Sequence, residues 1–326
     1  MNKINLSIVV PVYNEENNII PFVNKIEEDL KDFSSYEIIF CLDPSKDNSE
    51  AIIKKLIESN NKVKLLVFSR RFGQPAATMA GILNCNGDAC VIIDVDLQDP
   101  PSVIPKLYEK YQEGYDSVLA RRRSREGETL IKKFIAFIGY KIINKISYVE
   151  IPRDTGDFRI VSRKIIEELR MLSEQHGFLR GLNSFIGYDQ AIIEYDRDQR
   201  YLGKGKYNRF TGSVKIGLNG IIGFSSAPLS IMLWVGFFIS AIALLGVIYI
   251  LLMKLFLGVN YPAGIPTITI LILFFGGANI MAIGVLGEYI GRIYDEVKQR
   301  PLYIISKSHN MEIKSKRGYS EKKIND

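Results

Sequence analysis

Two carboxylates stand one residue apart in Asp94-Val95-Asp96, directly after the short apolar run 89–93. Acids so spaced at the end of a buried strand can share a hard divalent cation. Such an ion can grip a diphosphate and neutralise the charge that develops as it leaves. Gln98, two residues on, offers a neutral oxygen to the same ion. The pair could instead cap a helix or bend a surface turn, but its place after a buried strand favours the ion. Only His176 and His309 are present, which sets aside a Cys/His zinc site. Cys41 and Cys90 sit in apolar runs and read as small buried hydrophobes.

The elements that must position these acids are legible over the first 120 residues. Apolar runs at 6–10, 37–42, 63–68, 89–93 and 117–120 read as short strands, mostly buried on both faces. Helical spacing of apolar residues lies between them, at 17–31, 49–60, 76–83 and 101–113. This alternation predicts an α/β fold with a largely parallel, doubly wound sheet, whose ligands bind beyond the carboxyl ends of the strands. The residues just past each run are therefore candidates for the site. The first run leads into Pro11-Val12-Tyr13-Asn14-Glu15, the second into Asp43-Pro44-Ser45, the third into Ser69-Arg70-Arg71-Phe72-Gly73, and the fourth into the acid pair. Arg121-Arg122-Arg123 comes after the fifth, as an anion contact or as a solvated basic turn. No G-x-G-x-x-G follows the first strand and no G-x-x-x-x-G-K-[ST] occurs, which excludes a dinucleotide-dependent dehydrogenase and a P-loop enzyme.

The second half of the chain is of another kind. No charge occurs from 216 to 253 or from 255 to 287, and the densest apolar stretches are 229–253 and 264–287. As helices each is roughly 36 Å long at about 1.5 Å per residue, enough to cross a hydrocarbon core of roughly 30 Å. Lys204, Lys206, Arg209 and Lys215 precede the first stretch and Arg292, Lys298, Arg300 and Lys307 come after the second, while the connector carries only Lys254. The positive-inside bias then puts both flanks in the cytoplasm. The run 6–10 is too short for a signal-peptide core and ends at Pro11. The expected organisation is a cytosolic catalytic domain 1–210, a juxtamembrane amphipathic segment 211–228, transmembrane helices 229–253 and 264–287, and a cytosolic basic tail 288–326. The net charge of +6, concentrated near the membrane, suits anionic lipid rather than nucleic acid.

Several strings resemble the polyprenyl-phosphate glycosyltransferases, which are inverting family-2 glycosyltransferases of the GT-A fold. They are Ser7-Ile8-Val9-Val10-Pro11-Val12-Tyr13-Asn14-Glu15, the Asp94–Asp96 block with Gln98-Asp99-Pro100, and Gly156-Asp157-Phe158-Arg159. Arg200, Gly203, Lys206 and Tyr207, then two spans and Gly287-Glu288-Tyr289-Ile290-Gly291-Arg292, extend the resemblance to the bactoprenol glucosyltransferase type. It covers about residues 5–305 and implies a GT-A-type doubly wound mixed sheet, a juxtamembrane helix and two transmembrane helices. It also implies a multi-pass protein of the bacterial cytoplasmic (inner) membrane, with both termini cytoplasmic.

On this resemblance Pro11, Tyr13 and Glu15 line the nucleoside pocket. Asp94, Asp96 and Gln98 hold Mg2+ or Mn2+ with the donor diphosphate, Asp157 is the candidate acid/base, and Arg200 and Lys206 meet phosphate. The family usually has Asp-Asp-Gly-Ser after the second strand; here Leu42 replaces the first acid and Asp43 keeps the second. The implied reaction moves a sugar, with UDP-glucose the leading donor and GDP-mannose behind it, onto undecaprenyl phosphate with inversion. A second anion must then approach the donor, and Arg121 with Lys133 is the expected cradle for the lipid phosphate. A processive polysaccharide synthase would carry Gln-x-x-Arg-Trp, whereas the only tryptophan, Trp234, lies in a span. An inactive membrane scaffold would have lost Asp94, Asp96 or Asp157. A homo-oligomer is compatible with the sequence.

Overall fold

The computed structural model describes residues 4–33, 35–123, 152, 155–172, 179–197, 227–257 and 264–314. Four parallel strands form the centre: β1 (Leu6–Val12), flanked by β2 (Tyr36–Leu42) and β4 (Ala89–Ile92), with β3 (Val63–Phe68) outside β2. Their side chains alternate between two cores, as a pleated strand buried on both faces requires. Ile8 and Val10 meet Phe22 and Ile26 of α1 (Glu16–Asp29) and Ile53 of α2 (Ser49–Ser59), while Val9 faces Ala80 and Ile82 of α3 (Gln74–Asn84). The α3 helix lies close enough that a Cβ on Gly81 would stand 2.3 Å from Val9 Cγ1. The expected helix at 101–113 begins as a 3-10 turn, Pro101–Val103, and continues as α4 (Ile104–Gln112).

Beyond β4 the sheet becomes mixed. The strand β6 (Thr155–Ser162) runs antiparallel between β4 and β5 (Ser117–Arg122), and β7 (Gln190–Tyr195) pairs parallel with β5 at the edge. Ser162 caps α5 (Arg163–Met171) by accepting from Ile165 N at 3.3 Å, and α6 (Leu179–Ile186) comes next. With β8 (Ile305–His309) at the far edge, the eight-stranded order is β7-β5-β6-β4-β1-β2-β3-β8.

Two long helices, α7 (Ala227–Leu257) and α8 (Ile265–Val297), hold the expected spans. Among the described residues one stretch, Phe274–Val297, is long and apolar enough to cross a membrane, and Pro228–Ile239 is a shorter apolar stretch. Large apolar side chains on both helices stand open to the surroundings, Trp234 and Phe256 by 59% and 79%. Of the expected juxtamembrane segment only Ala227 and Pro228 lie within the described residues.

The chain after α8 departs from the expected tail. Residues 305–309 form β8, antiparallel on β3, so this segment completes the sheet. Ser69 N donates to Ile304 O at 3.0 Å, Lys314 N donates to Asn84 Oδ1 at 2.9 Å, and Tyr303 is buried against Phe68. The physical reason is the open row of peptide groups along β3, which a returning strand satisfies. At the amino end of the strands, Glu37 is buried among Ser7 Oγ, Asn86 N and Nδ2, and Lys64 Nζ. Those partners hold its carboxyl below the usual value although burial alone would raise it.

Candidate active site

Because β1, β2 and β4 are parallel, the loops after them gather at one edge of the sheet. The first two are stitched together. Asn14 adopts a left-handed φ of 51°, its N–H donates to Ser45 Oγ at 2.9 Å, and its Oδ1 accepts from Lys46 N at 2.7 Å. Glu15 N donates to Ser49 Oγ at 3.1 Å, and Glu15 Oε2 accepts from Asn18 Nδ2 at 2.6 Å. The expected nucleoside residues Pro11, Tyr13 and Glu15 thus sit on one braced rim, and the Arg71 guanidinium stacks 4.0 Å from the Tyr13 ring centroid. Asp43 is buried, and its two oxygens accept from Phe72 N and Gly73 N, each at 2.9 Å. It anchors the loop that carries Arg71; Gly73, at φ +91°, ends that loop and caps α3.

Asp94, Asp96, Asp99 and Asp157 converge electrostatically at the ends of β4 and β6. Burial, then repulsion from Asp99, Asp96 and Asp157, pushes the Asp94 carboxyl up to about 8. Its Oδ1 accepts from Gln74 Nε2 at 2.8 Å. Asp96 Oδ1 accepts from Gln98 N at 3.2 Å across Leu97, which holds a left-handed φ of 58°, uncommon for a bulky residue. Asp157 differs. Burial would raise its pKa, but Arg180, whose Nε lies 2.9 Å from Oδ1, with Arg159 and Arg122, brings it below the ordinary carboxyl value. Arg159 is buried in β6, donates Nη2 to Gly156 O at 2.8 Å, and has its pKa lowered to about 10 by burial.

Asp99 is the most enclosed of the four. It accepts from the Tyr195 hydroxyl at 2.5 Å and lies 3.6 Å from Arg122 Nη2 and 3.3 Å from Arg197 Nε. Arg122 Nε in turn donates to Tyr195 Oη at 3.3 Å. Four carboxylates are met by four guanidiniums, those of Arg122, Arg159, Arg180 and Arg197.

The donor set fits a hard cation only in part. Among the described residues no three acidic, histidine or cysteine side chains gather to cage a metal. Asp94 and Asp96 bring two carboxylates, so an ion there would complete its shell from phosphate oxygens and water, as Mg2+ commonly does. The mutual repulsion that raises Asp94 is what a cation would relieve. Gln98 contributes its backbone N–H to Asp96 and keeps its side chain half-buried.

One expected site residue meets a different partner. Arg121, expected at the acceptor phosphate, pairs in register with Glu194 of β7, its Nη1 4.0 Å from Oε1. Arg122, next in the strand and so on its other face, is the guanidinium that sits among the acids. Lys133, Arg200 and Lys206 lie outside the described residues. The sequence names Asp99 only within the Gln98-Asp99-Pro100 string and Arg122 only within the basic run Arg121-Arg122-Arg123. Gln74, Arg180, Tyr195 and Arg197 carry no local signal there.

Comparison with known proteins agrees with this arrangement. Residues 7–170 match the family described as Glycosyl transferase family 2. The chain is 43% identical over 306 residues to a prophage-derived bactoprenol glucosyl transferase of Shigella flexneri, covering 93% of this chain and 98% of that one. It is 41% identical over 304 residues to a prophage bactoprenol glucosyl transferase homolog of Escherichia coli, covering 93% and 98%. An uncharacterized glycosyltransferase of Synechocystis is 41% identical over 304 residues, covering 93% and 95%. With the acid-lined strand edge inside the matched segment and the similarity running almost from end to end, the chain belongs to glycosyl transferase family 2 and is a glycosyltransferase.

Proposed function

We propose that this enzyme transfers glucose from UDP-glucose to a polyprenyl phosphate, undecaprenyl phosphate in a bacterial membrane, with inversion at the anomeric carbon. The observation that carries the reading is the near full-length likeness to bactoprenol glucosyl transferases, which extends through both apolar helices. In this reading Pro11, Tyr13 and Glu15 face the nucleoside, with Asp43 holding the loop behind them. Asp94 and Asp96, with Gln98 beside them, would hold Mg2+ or Mn2+. When bound, such an ion supplies positive charge against the leaving diphosphate.

The chain's own residues shape the rest. The second pKa of a phosphate monoester is about 6, so the acceptor oxygen arrives largely ionised and needs little general-base help. It attacks the anomeric carbon as the bond to the nucleoside diphosphate breaks. Asp157, ionised and paired to Arg180 at 2.9 Å, orients the sugar or the acceptor rather than removing a proton. The guanidiniums at the strand edge already face the acids there, so a dianionic acceptor needs further cations. Arg121, at the rim with 37% of its side chain exposed, supplies one; Lys133, Arg200 and Lys206 are proposed as others.

Topology is constrained by connectivity. The strand β7 before α7 and the strand β8 after α8 belong to one sheet, so they lie on the same side of any membrane. The chain between them then crosses an even number of times. If α8 spans, α7 spans too, which supports a helical hairpin with the catalytic domain and both termini in the cytoplasm. The test is to give purified full-length enzyme undecaprenyl phosphate with a panel of nucleotide sugars and to identify the lipid product by mass spectrometry. A product only with GDP-mannose would replace the donor, and no lipid-linked sugar with any donor would overturn the reading.

A further inference from the structure

Asp99 binds no substrate in this scheme, yet of the four acids at the strand edge it is the one most completely enclosed by partners. Its side chain is 3% exposed and lies within 3.6 Å of three residues from two strand ends: Arg122 of β5, and Tyr195 and Arg197 at and just beyond the end of β7. A single carboxylate cannot satisfy two guanidiniums. Arg122 uses Nε on the Tyr195 hydroxyl and reaches Asp99 only at 3.6 Å. Arg197 Nε, buried, approaches Asp99 at 3.3 Å without making a hydrogen bond among the described residues. Both cations therefore keep donor capacity beyond Asp99. Arg122 also feels Asp94 and Asp157, so it stands between the hub and the proposed reaction centre. Its Nη2 lies 3.3 Å from where a Cβ on Gly156 would be, so the small residue of the Gly156-Asp157 string leaves room for it.

We propose that Asp99, braced by the Tyr195 hydroxyl, is a positioning residue that fixes Arg122 and Arg197 as a paired guanidinium wall for a phosphoryl group, rather than a member of the metal site. Resting on the transfer reaction proposed for this enzyme, it explains how two cations with a carboxylate between them stay charged and aimed beside Asp94. The planar forks of arginine suit phosphate oxygens, and holding their rotamers beforehand lowers the ordering cost of binding.

The test is kinetics of the full-length enzyme in detergent with UDP-glucose and undecaprenyl phosphate varied in turn, alongside calorimetric binding of inorganic pyrophosphate. Asp99→Asn should lower kcat/KM by roughly 10- to 100-fold and weaken pyrophosphate binding, the size of a lost charge-assisted contact. The melting temperature reports folding separately. Tyr195→Phe should give a smaller loss in the same direction, and Asp99→Glu should recover part of the activity. Added to Arg122→Ala with Arg197→Ala, Asp99→Asn should cost nothing further, because it acts through them. A lower melting temperature with unchanged kinetics per folded molecule would make Asp99 purely structural, and full additivity would separate it from the arginines; either overturns the proposal. If the wild type transfers no sugar to the lipid, the functional reading fails, and the pyrophosphate arm still decides the role of Asp99.

Discussion

Asp94 and Asp157 both stand half-buried at the strand ends, where loss of water raises a carboxyl's pKa, yet they finish in opposite states. Asp94 has acids for neighbours and is pushed up to about 8, whereas Asp157 has Arg180, Arg159 and Arg122 and falls below its ordinary value. A group lacking cations and a group surrounded by them should respond differently to losing charge. Asp96→Asn, which removes half of the proposed ion's carboxylate pair, is expected to lower transfer by at least ~100-fold, about 2.7 kcal/mol. Near-normal turnover in the variant, or of the wild type in excess EDTA, would count against the metal. Asp157→Asn should cost less than ~100-fold in kcat, below the usual range for an essential general base, because the acceptor is already ionised. A larger loss whose pH profile also loses its basic limb would restore Asp157 as the base. At this scale the sequence reveals what is local. Asp94-Val95-Asp96 is visible because its spacing and its strand are contiguous. Arg122 is indistinguishable from Arg121 in the sequence, since only strand register decides which faces the acids. Tyr195 reaches Asp99 across 96 residues of sequence, a proximity that no local pattern encodes.

The central strands are readable because each is apolar on both faces and bounded by turn residues. Their observed limits, such as Val63–Phe68, match the runs closely. The strands β6 and β7 do not stand out in the sequence; the burial of β7 is broken, and its exposed positions weaken the apolar pattern. The strand β8 escapes notice for a different reason: Leu302-Tyr303-Ile304-Ile305 is a short apolar island in a basic stretch, and only the open edge of β3 gives it a partner. That makes the end of the chain a structural strap. Tyr303→Ala should cost about 3 kcal/mol through the cavity left beside Phe68, read as a lower denaturation midpoint; an unchanged midpoint would show the strap to be dispensable. The Glu37 cluster joins β1, β2 and β3 at the opposite end of the strands. Its carboxyl is depressed in the folded state, so its stabilisation is present above the unfolded value of about 4.3 and is lost as pH falls through the lower folded value. Glu37→Gln should cost about 3 kcal/mol at pH 7 by leaving Lys64 without its charge partner. The gap to wild type should close in melts taken toward pH 3. A gap independent of pH would assign the loss to packing instead.

At the scale of the whole molecule, the apolar runs identify two long helices, but the reason for pairing them lies in the sheet. Among the described residues only Phe274–Val297 passes as a spanning stretch by length and composition. A single crossing would nevertheless strand β8 across the bilayer from β3, breaking a ladder that runs from Leu65↔His309 to Phe68↔Ile305. Both crossings or neither is the choice connectivity allows. The exposed apolar side chains of α7 and α8 favour both, since such faces turned to water would drive association. In the proposed topology the lysine and arginine bias sets the sign, with the catalytic sheet inside. Cysteine labelling can test this with little background, because Cys41, Cys85 and Cys90 are all buried. Asn260 and Ser320, both outside the described residues, occupy the connector between the helices and the end of the chain. In intact cells Asn260→Cys should react with a membrane-impermeant maleimide, whereas Ser320→Cys should react only after permeabilisation. Labelling of neither before permeabilisation would place both helices on the cytoplasmic side. Labelling of Ser320→Cys alone in intact cells would reverse the orientation and put the catalytic edge on the wrong side for a nucleotide sugar.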